Sequence, residues 1–492
     1  MKSLLPVTIV FACLGPHPHC VPSVHGETPL LRMRELLDVD SLDGKVLSDW
    51  HTVPGDVPTR QKLVSIRVGE LVPGREYRVP VRMIVPVGRK ASGFHLTGGH
   101  RSASIQRDAR PRGVDRDLLR GGVGLVFTVV QELGSVGQAE LGQAASRQFI
   151  KTLDPRHSVQ YWGWPATLIR AVTAAYAETK HFEPGQVAVT GSSKNGASPS
   201  VALLHDKRMT ALHSSVAPIW DSPLRLCDQA AWDNLRAENQ RYLRVLQAAN
   251  RRVNPRRLLN HRFLGGTFGP VYNSQALAAG HNWDDLRRLA HRMKDHVFVA
   301  RHLKTLASRE VDLCFHPGTH DFVAFDMAWG GQHHPEVPIY LRVNSGHGKS
   351  RRHPTAETDE QNKPAFLLRH FFKGVAAPLS PPSVKARVDG QRLSVTVTFA
   401  PGSVSESGRI WWMFDRGPDG SAAYINELFP NDQWKDMTRD SKTNSWGTTI
   451  PIKPGATRID FFSNHRKTIT YRSVNYASYR SSPYTRVPLG PN

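Results

Sequence analysis

The sequence predicts an α/β protein in which a largely parallel sheet is covered by helices, followed by a smaller all-β domain. Up to about residue 373, apolar or β-branched runs alternate with helix-like segments, the pattern of strands joined by helical crossovers. From about residue 385 the texture changes to short alternating strands divided by Gly, Asn, Asp and Pro with no convincing helix, which predicts a β-sandwich. The 492 residues also exceed what one hydrophobic core usually serves, so two domains are expected.

Taken in order, residues 1–26 open with "MKSLLPVTIVFACLG", one lysine and then an apolar run too short to span a bilayer. It reads as a secretory signal, with Val24 and Gly26 at the small-residue positions of a cleavage site and the mature chain starting near Glu27. A lipid anchor on Cys13 is the alternative. No later segment is apolar enough to cross a membrane, so a secreted or periplasmic protein is expected. The first domain, 27–375, has the strand-like runs "YRVPVRMIVPV", "GFHLTGG", "VGLVFTVV", "QVAVTG", "ALHSSVAPI", "VDLCFH" and "IYLRVNSG". Its clearest helices are "WPATLIRAVTAAYAE" and "PAFLLRHFFKG". A helical, basic and aromatic stretch at about 224–300 is placed to cap a site. The Pro-rich segment 376–384 is the expected linker, and 385–492 the sandwich, with "RLSVTVTF", "RIWWMFD" and "TRIDFFS" among its strands.

Lys plus Arg number 64 against 42 Asp plus Glu, a formal charge of +22. Such a charge favours anionic partners. The basic residues are spread out and interleave with no aromatic nucleic-acid module, so for an exported chain a polyanionic glycan outranks nucleic acid. Of four cysteines, Cys13 and Cys20 leave with the signal. Cys227 and Cys314 then form either one disulfide or two buried thiols. No Cys/His cluster has zinc spacing, and neither a metal nor a cofactor is expected.

The chemistry centres on "VAVTGSSKNGASPSVALLHDKR", residues 187–208. A serine hydroxyl is a poor nucleophile unless a base lies within hydrogen-bond reach, so a nucleophilic serine projects from a sharp strand-to-helix turn. Gly191 and Gly196 flank Ser193 as that bend requires. Asn195 replaces the second small residue of the usual G-x-S-x-G elbow, and asparagine tolerates unusual backbone angles. An acid and a histidine should follow in that order. "VDLCFHPGTHDF" supplies Asp321 and "PIYLRVNSGHG" supplies His347, each just after a late strand-like run. Asp221, in "APIWDSP", is an alternative acid, and Asp326 lies five residues beyond Asp321. The oxyanion donors would be the Lys194 N–H, directly after the serine, and an N–H of Gly99 or His100 in "LTGGH". The Lys194 ammonium is a further candidate contact to an anionic substrate.

These motifs resemble the PhoPQ-activated pathogenicity-related protein family, exported proteins of α/β-hydrolase type. The resemblance rests on "VTGSSKNG", on "YWGWPATLIRAV", on the aspartate of "VDLCFHPGTHD", on the histidine of "PIYLRVNSGHG", and on a C-terminal β region ending in "YASYRSSPYTRV". It spans about residues 70 to 488 and implies a Ser193, Asp321, His347 triad. The elbow is also similar to that of glucuronoyl esterases, where a cation follows the serine as Lys194 does here. Together these features lead to the expectation of a serine carboxylester hydrolase acting on an ester-bearing carbohydrate, for which the basic charge favours an anionic one. A non-catalytic binding or signalling protein on the same scaffold is the alternative, and a peptidase a third.

Overall fold

The structure, a computed structural model, describes residues 30–135, 138–251, 273–347 and 352–490. The expected signal, 1–26, lies outside the described residues, as does part of the expected cap, 252–272. Eight strands form the first sheet: β1 (Lys45–Val53), β2 (Thr59–Val72), β3 (Arg75–Pro86), β4 (Ala91–Thr97), β5 (Gly124–Thr128), β6 (Phe182–Gly191), β7 (Ala211–Ser214) and β8 (Asp312–Phe315). Their spatial order is β1-β2-β3-β5-β4-β6-β7-β8. The β1/β2, β2/β3 and β3/β5 pairs are antiparallel, and the pairs from β5 through β4, β6 and β7 to β8 are parallel. β5 and β7 are buried at every position, as strands covered on both faces are.

From β4 the chain crosses to β5 on one side, and from β6 it crosses to β7 on the other. Where neighbouring strands send their connections in opposite directions, the loops beyond their carboxyl ends part and leave a crevice. The loop after β4 and the turn after β6 both open into it. Helices Gln229–Ala248, Asn273–Ala278 and Trp283–Val297 follow β7 within the expected cap. This is the α/β-hydrolase fold with a helical cap.

The C-terminal domain is a β-sandwich built from β9 (Ser383–Asp389), β10 (Arg392–Thr398), β11 (Ser407–Phe414), β12 (Trp434–Asp436), β13 (Thr438–Asp440), β14 (Ser445–Pro451), β15 (Arg458–Tyr471), β16 (Val474–Ser481) and β17 (Thr485–Pro488). One sheet runs β13-β14-β10-β9, the other β12-β11-β15-β16 with β17 on β15. β10 alternates exposed and buried along "RLSVTVT", so Leu393, Val395 and Val397 meet Ile410, Trp412, Ile459 and Phe461 from the facing sheet.

Several expectations are corrected. β1 was not apparent in the sequence because "KVLSDWHTV" is a largely exposed edge strand without apolar alternation. "IYLRVNSG" is not a full strand: it continues the sheet only through single parallel bridges, Phe315 to Ile339 and Gly318 to Arg342. Tyr340 N–H and Arg342 N–H donate to Phe315 O and Pro317 O on that side, while the intervening groups reach the sandwich, with Leu341 N–H donating to Ser481 Oγ at 2.7 Å and Ser481 N–H to Ile339 O at 2.9 Å. The sandwich half carries one short helix, Ala422–Asn426, capped by Ser421. The expected linker is packed down, not free. β9 begins inside it at Ser383, Leu379 is buried in the sandwich core, and Lys467 Nζ donates to Ala377 O at 2.7 Å. Of the two readings left open for the cysteines, Cys227 and Cys314 are buried thiols that do not bridge each other, and burial pushes the Cys227 thiol up to about 12. Among the described residues no helix is long and apolar enough to cross a membrane.

Candidate active site

Ser193 stands between β6 and helix Lys194–His205 with φ 55° and ψ −132°. A side chain other than glycine in such a region costs on the order of 1–3 kcal/mol, and it persists only where its surroundings enforce it. Here they do. A side chain at Gly191 would lie 2.0 Å from the Asn195 carbonyl oxygen, and one at Gly196 would lie 2.8 Å from Ser214 Oγ and 2.9 Å from Gly191 O. The bend therefore closes only around two glycines. Asn195 is helical, its N–H donating to Ser192 O at 3.0 Å, so the strained backbone is at Ser193 and not at Asn195. Instead the Asn195 amide lies against the Gly99 turn.

The Ser193 hydroxyl meets His347 Nε2 at 2.8 Å. His347 Nδ1 meets both oxygens of Asp321 at 3.0 Å. A carboxylate at Nδ1 keeps the proton there, leaving Nε2 to accept from the serine. Asp321 is 1% exposed and its Oδ1 also accepts the Val323 N–H at 2.9 Å, which fixes the carboxylate at the start of a 3-10 turn. The Phe322 ring packs edge-on against the imidazole, centroids 4.8 Å apart. Sequence reasoning did not single out Phe322, although it adjoins Asp321.

The two other candidate acids are committed elsewhere. Asp221 accepts from His334 Nε2 at 2.9 Å and from Arg301 at 2.7 Å. Burial alone would raise its pKa, but these bonds outweigh it and hold the carboxyl at about 2. Asp326 takes Arg225 through both its oxygens, at 2.7 and 2.9 Å, and Ser222 Oγ at 2.6 Å. It anchors the chain leading into the cap.

Three further Asp–His–hydroxyl chains occur among the described residues, one of them on the exposed edge strand, where His51 links Asp108 to Ser48 at 3.0 and 3.4 Å. His95 links Asp115 to Thr190 at 2.9 and 2.8 Å, and His370 links Asp312 to Thr210 at 2.7 and 3.0 Å. Both threonines belong to the sheet region: Thr190 is buried in β6, and Thr210 bonds β6 through the Val187 N–H. Only Ser193 is presented on an elbow, at a helix N-terminus.

Within the described residues the Lys194 N–H has no hydrogen-bond partner, as an oxyanion donor requires. The Gly99 N–H reaches only Thr97 Oγ1, at a long 3.4 Å. The His100 ring stacks on Phe127 with centroids 4.2 Å apart, and burial lowers its pKa. The Lys194 ammonium lies over the Trp164 ring at 5.6 Å, and burial lowers its pKa too. The "SSKNG" and "YWGWP" motifs thus meet in space. No group of His, Cys, Asp and Glu among the described residues could hold a metal ion.

Sheet order, elbow and relay define a protein of α/β-hydrolase type. No protein-family model matches the chain and no curated protein matches it, so the PhoPQ-activated resemblance rests on its motifs alone. Among solved structures the chain is distantly similar to a CE15 glucuronoyl esterase from Teredinibacter turnerae, at 14% identity and TM-score 0.25, covering 35% of this chain and 44% of that one. It is likewise similar to a puromycin-hydrolysing peptidase of Mycobacterium tuberculosis, at 14% identity and TM-score 0.30, covering 61% and 37%. A third is an acylaminoacyl peptidase of Pyrococcus horikoshii, at 10% identity and TM-score 0.31, covering 62% and 46%. The chain matches less than half the length of each.

Proposed function

We propose that the chain is an exported serine carboxylester hydrolase acting on an ester-bearing, anionic carbohydrate. The observation that carries the hydrolase is the Ser193–His347–Asp321 relay seated on a strained elbow. His347 Nε2 takes the Ser193 proton as Oγ attacks the ester carbonyl, and Asp321 stabilises the imidazolium. The tetrahedral oxyanion is met by the Lys194 N–H, where the helix N-terminus adds its partial positive charge, and by an N–H of the Gly99–His100 turn. Collapse expels the alcohol, which receives the proton from His347, and leaves the acyl group esterified to Ser193. Water, deprotonated by His347, then attacks that ester. The acid departs and Ser193 regains its proton. Support for an anionic substrate comes from the +22 charge and from the cation directly after the nucleophile.

A fluorophosphonate should label Ser193, and Ser193→Ala should lose label and at least roughly 1,000-fold in turnover of p-nitrophenyl acetate. Labelling of another serine, or wild-type turnover in the variant, would remove the elbow from the mechanism. For the substrate class, kcat/KM for an O-acetylated glucuronate, which keeps its free carboxylate, should fall as salt shortens the Debye length past about 8 Å, while that for the neutral p-nitrophenyl acetate holds. Equal salt responses would reduce the charge to a bulk surface property.

A further inference from the structure

Neither Asp321 nor His347 lies on a strand of the first sheet. Asp321 opens a short turn, and His347 ends an arm that touches the sheet through two single bridges. Hydrogen-bonded contact at 2.8 and 3.0 Å along the relay nevertheless requires the serine, histidine and acid to be held in register. The acid loop and the histidine arm bond each other directly, Thr319 N–H donating to Arg342 O at 3.0 Å and His320 N–H to Ser345 O at 2.9 Å, and a further set of groups that grips both comes from the C-terminal domain.

After β11 the chain leaves the sandwich and runs across the first domain before returning at β12. On the acid side, Arg416 is fully buried and donates to Thr319 O at 2.7 Å. His320 Nε2 bonds Glu427 O. Beyond the acid, Gly420 N–H donates to Phe325 O at 2.8 Å, and Asp419 Oδ2 accepts the Trp329 N–H at 2.8 Å. The loop is therefore gripped both before and after Asp321. On the histidine side, the Asn344 amide pairs with the Phe429 backbone in both directions, donating to its O at 2.8 Å and accepting its N–H at 2.9 Å. His353 Nε2 bonds Pro430 O at 3.0 Å. The same segment reaches the cap, where Ala422 N–H donates to Asn239 Oδ1 at 2.7 Å.

We infer that residues 416–430 are a strap that positions the acid and histidine of the active site, with Asn344 and His320 as its positioning residues. The inference rests on the catalytic role proposed for Ser193, His347 and Asp321. Neither Asn344 nor His320 bonds the reacting groups. Each acts through the backbone it pins, and a misplacement of about 1 Å in such a relay costs roughly 100-fold in rate.

The test uses the full-length protein, p-nitrophenyl acetate and a fluorophosphonate. Asn344→Ala and His320→Leu should lower kcat and the rate of Ser193 labelling about 10-fold or more with KM little changed. They should also move the acid limb of the pH profile, because the carboxylate beside the general base is displaced. His320→Gln keeps a donor toward the Glu427 carbonyl and should restore both rate and profile. If Asn344→Ala fails to fold, the His320 pair decides. A folded His320→Leu with wild-type labelling rate and pH profile overturns the strap, as does loss of the fold in every variant, which would make the segment purely structural. Wild-type protein left unlabelled at Ser193 would instead overturn the catalytic reading beneath it.

Discussion

Asp321 and Asp221 are both buried carboxylates bonded to a histidine, and their second partners separate them. Asp321 has a backbone N–H beside it and leaves its negative charge for His347, whereas Asp221 is neutralised by the Arg301 guanidinium. Asp321→Asn should therefore lower kcat roughly 1,000- to 10,000-fold by releasing His347 from its tautomer. Asp221→Asn should leave kcat nearly intact, and a larger loss there than at Asp321 would reverse the assignment. What Asp221 contributes is stability. Its folded pKa, about 2, lies below the ordinary value of 3.8, so the contribution is complete above about pH 4 and disappears as pH falls toward the folded value. Urea midpoints should show Asp221→Asn about 2 kcal/mol less stable near neutrality, with the gap closing below about pH 4. A gap that persists into acid would contradict the ion-pair account. Ser193, Asp321 and His347 were legible in the sequence because each follows a strand-like run and their order carries a mechanism. The commitments of Asp221 and Asp326 were not, since Arg301 and Arg225 reach them across sequence gaps of 80 and 101 residues.

Elements carry the next level of control. The chain leading into the cap is tied down by Arg225 and Asp326, which are 1% and 0% exposed in side chain. Removing one charge from a buried pair leaves the other desolvated without its counter-charge, at a cost of about 3–5 kcal/mol. Asp326→Asn should thus lower the unfolding free energy by about 3 kcal/mol in denaturant titration, although this aspartate takes no part in the relay. An unchanged midpoint would show that the pair contributes little. The parallel strands β4 to β8 were legible because burial on both faces writes a continuous apolar run. β1 was hidden by its polar exposed edge. "IYLRVNSG" misled because its apolar residues are indeed buried, but Leu341 is bonded on both its N–H and its carbonyl by the sandwich residues Ser481 and Asn464.

At the scale of the whole molecule, His213 in the first sheet and His465 in the sandwich are buried and neutral, burial holding each at about 3. Unfolding lets both bind a proton below the ordinary value of 6.5, so the unfolded state gains protons as the solution is acidified and stability falls. Each histidine should contribute about 1.4 kcal/mol per pH unit between roughly pH 6 and pH 3. His465→Gln should flatten the acid side of the stability profile by that slope, and an unaltered slope would exclude this residue as a cause. The two-domain plan was legible in the change of texture near residue 385, but the interlock between the halves was not, because periodicity reports on one element and not on its distant partner. That interlock sets the order in which a nascent chain becomes competent. The elbow at Ser193 and its helix have their supporting groups once Ser214 and Ser215 are made, yet the arm carrying the histidine finds Asn464 and Ser481 only when the strands β15 and β16 have emerged. A chain cut short before Ser481 would therefore carry the elbow without the bonds that fix the histidine arm beside it.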